Sequence, residues 1–218
     1  MPRPSVEVER RAQILRATCR VIAENGLRNL RISDVARLAG LSGGTVHYYF
    51  DTKQDLAQAA FEDCFERSLE RRRWLLDSRA DALTRLRQVV DSYVPGTPET
   101  VEAWKVWVEL WAESPRSPRL RELNERLYGE WRRIVAAIVR DGQARGQLAD
   151  GDPLVLANML VGMIDGLAVQ VLAGSQSLTA DRMRTTCLTF VDTVLAAQNN
   201  PHPIPGRRAR AQSTSDNA

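Results

Sequence analysis

The chain has 218 residues, 44% hydrophobic and 26% charged, enough apolar material for a sizeable core in a soluble protein. Its N-terminus lacks a secretory leader pattern and no apolar run of the roughly 20 residues needed for a membrane span stands out, so a cytoplasmic protein away from membranes is expected. The net charge of +3 is uneven: residues 1–53 carry nine basic and five acidic side chains, residues 54–198 sum to −3, and the tail from Asn199 is basic again, which suits a phosphate-binding segment joined to a near-neutral body.

Apolar residues recur at three- and four-residue steps nearly everywhere, so the expected fold is all-α, with nine helices. The first runs over 6–25, with Ile14, Leu15, Thr18, Val21 and Ile22 on one face and Asn25-Gly26 as its stop. A short second helix is expected after Ser33 as its cap, ending at Gly40. Ser42 offers a new cap for a third helix over 43–50. Thr52, with Asp55 three residues on, opens a fourth that is expected to continue to about Leu76. The run Arg71-Arg72-Arg73 on that helix is expected to be a solvated face. Five more helices are expected over 80–94, 99–113 and 117–145, then one opened by Asp152-Pro153 and a last over 179–198, with Pro95-Gly96, Pro115 and Gly146 as breaks. The tail 199–218 is proline-rich, polar and basic, and is expected to be disordered.

Cys19, Cys64 and Cys187 are odd in number and far apart, which fits core residues and neither a disulfide framework nor a metal pattern. No nucleophile and base pairing, metal-ligand spacing or phosphate loop appears, so neither a catalytic site nor a cofactor is expected.

The segment 32–50 reads as helix, glycine-containing turn, helix. Val35, Ala36, Leu41, Val46 and Phe50 tie the two helices together, and one face of the second stays free. In a helix-turn-helix that free face enters the major groove of DNA. Gly43 and Gly44 would let the backbone approach closely. Thr45 suits a phosphate or a thymine methyl, His47 and Tyr48 can reach bases, and Tyr49 and Lys53 can reach phosphate. Two alternatives stay open: His47 as a solvated helix residue, and Tyr49 as packing on the first helix.

Residues 31–56, RISDVARLAGLSGGTVHYYFDTKQDL, resemble the signature of the TetR family of transcriptional regulators. The shared features are the small-residue AG turn, S-x-G-T, an aromatic pair followed by Phe, and the lysine after the next turn. The resemblance implies a nine-helix TetR-like fold with a three-helix DNA-reading head and a helical ligand-binding and dimerisation body. It implies DNA contacts from Ser42, Gly43, Gly44, Thr45, His47, Tyr48, Tyr49 and Lys53. His47 stands where many members carry Tyr, so base preference does not carry over. The expected domains are 6–52 for DNA binding and 53–198 for effector binding and dimerisation. Double-stranded, near-palindromic operator DNA and a small-molecule effector are the expected partners. A repressor released by its effector is the expected role, with an activator on the same fold left open.

Trp104, Trp107, Trp111 and Trp131 crowd two of the body helices. They read either as ordinary core or as an aromatic wall around a ligand, which would suit a cation. Asp165 lies mid-helix in an apolar stretch, so it either pairs with an arginine or a tryptophan N–H or faces a cationic effector. AWKVWVELWAESPRSPRLREL (103–123) and MIDGLAVQVLAG (163–174) are similar to the C-terminal domain of the choline-responsive betaine-pathway repressors, which raises amines among the candidate effectors. The last two helices carry apolar side chains on more than one face, as in a two-fold dimer built on four helices. Such a dimer would set its reading helices about 34–36 Å apart or a compatible multiple.

Overall fold

The computed structural model describes residues 6–77 and 79–197. The tail expected to be disordered, 199–218, and Gln198 at the end of the expected body lie outside the described residues. Among the described residues nine helices follow one another: α1 (Val6–Asn25), α2 (Ile32–Leu38), α3 (Gly43–Tyr49), α4 (Lys53–Glu70), α5 (Ala82–Tyr93), α6 (Pro98–Glu113), α7 (Pro118–Ala144), α8 (Pro153–Leu172) and α9 (Ala180–Phe190). A detached helical turn, Trp74–Asp77, follows α4, a 3-10 turn (Ser114–Arg116) joins α6 to α7, and a π turn (Val191–Leu195) extends α9. Among the described residues no β-strand occurs, only an isolated bridge between Leu148 and Ala196.

Side-chain caps begin most of these helices. Ser42, Thr52, Asp81, Thr97, Ser117, Asp152 and Thr179 each accept a hydrogen bond from a backbone N–H of the first turn. Each such cap contributes about 1 kcal/mol. Ser33 is not one of them. The N-cap position of α2 is Arg31, without a side-chain bond, because Ile32 already turns inward onto the core.

The fourth helix is shorter than its pattern suggests. It ends at Glu70, and the chain tightens through bonds from Arg72 N to Leu69 O (2.9 Å), Arg73 N to Glu70 O (3.2 Å) and Leu75 N to Arg72 O (2.9 Å). That tightening turns Arg72 into the protein, where it is 6% exposed, while Arg71 and Arg73 stay at the surface. The arginine run is therefore not uniformly solvated.

α1 packs on α2, α4 and α6, α3 leans on α2, and α7 and α8 run against each other with α5 and α9 alongside. One continuous core links head and body, from Ile14, Leu15 and Ile22 through Leu56, Ala60 and Phe61 to Leu86, Leu110, Ile138, Leu160 and Met183. All three cysteines are buried in it. α8 corrects the expectation that no apolar run is long enough for a membrane. Its 20 residues, with a mean hydropathy of 1.8, reach that length and composition, because the helix is apolar on both sides. Leu156, Leu160 and Ile164 face the core, while Leu154, Val155 and Met159 are about half exposed.

At Gly142 of α7 neighbouring side chains come very close. A Cβ there would lie 2.5 Å from the Ala82 Cβ and 2.6 Å from Leu148 Cδ1. Gly142→Ala raises helix propensity yet overpacks this contact, so it should destabilise the fold by about 1–3 kcal/mol. Urea unfolding monitored by circular dichroism checks this; an equal or higher midpoint would refute it.

Candidate functional site

The reading head is built from inward anchors and an outward face. Val35, Ala36, Val46 and Phe50 are buried, which fixes α3 on α2. Gln13 reaches across to bond the Ala39 carbonyl at 2.6 Å, and the Arg11 guanidinium lies 5.4 Å from the centre of the Phe50 ring. With Val46 inward, Gly44, His47 and Tyr48 point outward, and Tyr48 is 77% exposed. Ser42 is exposed at the helix start, its Oγ accepting the Thr45 N–H (3.0 Å) and lying 2.9 Å from the Thr45 hydroxyl. Tyr49 is partly buried on the core and meets Tyr48 edge-on at 5.2 Å, so packing is at least part of its role.

Neither α3 glycine is demanded by the fold. A Cβ at Gly43 would meet nothing within 4 Å, and at Gly44 only Ser42 Oγ at 3.8 Å. Neither takes a left-handed conformation. Lys53 donates from Nζ to the Arg28 carbonyl at 3.0 Å, so it ties the start of α4 to the α1–α2 turn.

α6 joins this head to the body. The Glu109 carboxylate accepts the Leu27 N–H at 2.7 Å and fills the space beside Gly26, whose φ of +81° turns the chain there. Arg28 pairs with Glu113 at 2.6 Å. On the far side of the linker, Arg119 of α7 pairs with Asp55 of α4 at 2.7 Å, and Arg126 pairs with Glu62 at 2.5 Å. Glu109 and Glu113 were missed by sequence reasoning, since an acid on an exposed helical step carries no signal of its partner.

The four tryptophans expected at an effector site do come together. Trp111 is the hub, with ring centres 6.0 Å from Trp107, 6.1 Å from Trp104 and 5.9 Å from Tyr128. Trp131 reaches the group through Tyr93, at 4.8 Å, and Tyr93 lies 6.0 Å from Trp104. Trp107 also rests edge-on against Phe65 of α4. The indole N–H of Trp104 is satisfied by the Tyr93 carbonyl at 2.7 Å. Sequence reasoning missed Tyr93 and Tyr128. Tyr128 sits one turn before Trp131 on α7, and Tyr93 ends α5, so only the fold reveals their place.

Two charged groups border the rings. The Tyr128 hydroxyl donates to Asp165 Oδ2, so the acid of α8 pairs with neither an arginine nor a tryptophan. Burial pushes the Asp165 carboxyl up to about 7, and the Tyr128 bond offsets only part of that rise. Burial and the neighbouring acid also raise the Tyr128 phenol. The Arg72 guanidinium lies 3.7 Å from the centre of the Tyr93 ring. Its Nε donates to Ser92 Oγ, and its terminal nitrogens donate to Ser68 O, Ser68 Oγ and Ser92 O. Among the described residues no carboxylate forms an ion pair with it. A ring face and neutral oxygens therefore hold a buried cation here.

A cavity of about 180 Å³ opens beside Trp131, lined also by Leu69, Arg72, Leu75 and Ile134. A larger one of about 440 Å³ lies elsewhere, between α1, α4 and α6.

Residues 14–60 match the model for bacterial regulatory proteins of the tetR family, and residues 82–196 match the C-terminal region of BetI-type transcriptional repressors. The chain belongs to the TetR family. Its body is of the BetI type, and the protein is a DNA-binding transcriptional regulator of the repressor class. The HTH-type transcriptional regulator BetI of Stenotrophomonas maltophilia (strain R551-3) is 31% identical over 203 residues, spanning 90% of this chain and 98% of the relative. A transcriptional regulator from Saccharomonospora viridis, solved in complex with choline, superimposes with a TM-score of 0.82 at 34% identity, covering 88% of this chain and all of that one. A TetR-family regulator from a Rhodococcus species gives 0.76 at 29% identity, with 86% and 99% covered.

Within this TetR-family body, the raised Asp165 carboxyl has a stability consequence. The folded state holds a proton that the unfolded state has lost between about pH 4 and 7, so stability falls as pH rises through that window. Asp165→Asn keeps an acceptor for Tyr128 and removes the titration. It should be more stable than the parent at pH 8 by up to roughly 4 kcal/mol, with the difference vanishing near pH 4. Thermal unfolding across that range checks this; a pH-independent difference would count against it.

Proposed function

We propose that the protein is a homodimer that releases a near-palindromic operator when a small cationic amine, choline or a close chemical relative, enters the aromatic cluster. The observation that carries the effector assignment is Asp165, an acid half-buried at the edge of a continuous group of rings. A quaternary ammonium offers no hydrogen-bond donor, so ring faces and one carboxylate are the groups that can hold it, each ring contributing about 0.5–2 kcal/mol. Arg72 on Tyr93 supports this chemistry, since the cluster already stabilises one cation through a ring. In this reading Trp104, Trp107, Trp111 and Trp131, with Tyr93 and Tyr128, form the cage. The effector charge keeps Asp165 ionised.

Residues 6–52 would read DNA and residues 53–198 would sense and dimerise. Ser42, Gly43, Gly44, Thr45, His47, Tyr48, Tyr49 and Lys53 would contact the operator. The open space around Gly43 and Gly44 supports a close approach of the DNA backbone, because nothing among the described residues explains their lack of a side chain. Lys53 keeps spare ammonium protons beside its bond to Arg28. Dimerisation would use α8 and α9. The half-exposed Leu154, Val155 and Met159 supply an apolar face, and a Cβ at Gly162 or Gly166 would meet nothing within 4 Å, which leaves room for a second helix.

Release follows from α6. Its tryptophans belong to the cage, and its Glu109 and Glu113 hold the turn that enters the head. A cation between Trp111 and Tyr128 would favour a displaced α6, and with it a head spacing that fits the grooves less well. The effector need only bind that arrangement more tightly than the DNA-bound one.

A gel-shift titration with the DNA upstream of its own gene, without and with saturating choline, tests the proposal. Choline should weaken operator binding at least tenfold, and Asp165→Asn should abolish that response while operator binding without choline is kept. Choline that quenches tryptophan fluorescence yet leaves operator affinity unchanged would overturn the release mechanism. No choline response of either kind would overturn the effector assignment.

Glu109→Ala isolates the transmission step. It should leave choline-dependent tryptophan quenching intact and cut the choline effect on operator affinity by about threefold or more, on the scale of a 1 kcal/mol coupling. An unchanged ratio of operator affinities would assign the coupling to other contacts.

A further inference from the structure

Cys19 of α1 and Cys64 of α4 meet where the head helix crosses the linker helix. Cys19 Sγ donates to the Ala60 carbonyl at 3.2 Å, one turn before Cys64, and Arg67 Nη2 lies 3.5 Å from the same sulfur, one turn after it. Cys19 therefore projects onto the stretch of α4 centred on Cys64, close enough for each thiol to shift the other's titration. The pair is deep in the core on one side only. On the other, Cys64 lines the cavity of about 440 Å³, whose wall carries Arg20, Arg67, Arg71 and Lys105 together with Glu24, Glu99 and Glu102. A small polar molecule that enters this cavity meets Cys64 in its wall.

We propose that Cys19 and Cys64 are a thiol modification site, oxidised by small hydroperoxides to a disulfide that bridges α1 and α4 within one chain. The Cys64 thiolate attacks the terminal oxygen of the hydroperoxide. An S–O bond forms, the O–O bond breaks, and the departing alkoxide or hydroxide takes up a proton. The Cys19 sulfur then attacks the Cys64 sulfur, the S–S bond forms, and hydroxide leaves with the Cys19 proton as water. Two electrons pass from the two sulfurs to the peroxide, balancing the two hydrogens lost by the thiols. The neighbouring Cys19 thiol, then Arg67 and Arg71, lower the Cys64 thiol against the effect of its burial, whereas the neighbouring Cys64 and burial hold Cys19 up as the protonated partner.

Cys187 is the internal control. It is buried on α9, and burial pushes its thiol up to about 11, with no second cysteine beside it.

The experiment treats the full-length folded protein with hydrogen peroxide at neutral pH, blocks remaining thiols under denaturing conditions, and maps peptides without reduction. The expected result is a loss of about 2 Da per chain, a peptide joining Cys19 to Cys64, and one blocked thiol at Cys187. Dithiothreitol should reverse the mass change, and Cys187→Ser should behave as the parent does. Oxygen added at Cys64 with Cys19 still reduced, a disulfide between chains, or three thiols intact would each overturn the proposal. The parent protein carries the test by itself, so it survives any folding defect in Cys19 or Cys64 variants.

Discussion

A single carboxylate on α6 decides how the two halves of this molecule sit together. Glu109 satisfies the Leu27 N–H in the turn that leaves α1. The turn demands glycine for its left-handed backbone, and the Glu109 carboxylate packs beside it. With Arg28 held by Glu113 and the Arg28 carbonyl held by Lys53, three consecutive residues are fixed by α6 and α4 together. The head thus lacks the loose tether of an independent module. Its orientation is set by a helix whose other side chains are the tryptophans.

That arrangement explains why polar groups are tolerated so close to the aromatic core. A half-buried acid and a buried guanidinium would each be costly alone. Asp165 is accommodated by Tyr128 and by a carboxyl that stays largely protonated below neutrality. Arg72 is accommodated by four oxygen acceptors and the Tyr93 face. The two groups lie at different edges of one ring cluster, tied to α7 and α8 in one case and to α4 and α5 in the other. A change in how the rings stack is then felt at both edges.

The sequence carried the helix pattern, the caps and the helix-turn-helix well, because these depend on neighbours within four residues. Val46 and Phe50 announce an inward face, and Ser42 announces a start. Its failures have a common cause. Ser33 looked like a cap because serine often is one, but the burial of Ile32 moved the helix start earlier. Arg72 looked solvated between two other arginines until a tightened turn took it inward. Tyr93, Tyr128, Glu109 and Glu113 acquire their roles from partners 11 to 85 positions away in the chain, and no local spacing encodes such partners.

The open surroundings of Gly43 and Gly44 bear on how such a regulator can diverge. Side chains on the outer face of α3 touch little of their own protein, so the residues that would choose an operator are nearly free of folding constraints. Duplicated genes could exchange these positions, and with them the sites they bind, while inheriting the same sensing body unchanged. If this face chooses the operator, as proposed, new regulatory circuits can arise on the same body without a stability barrier in between.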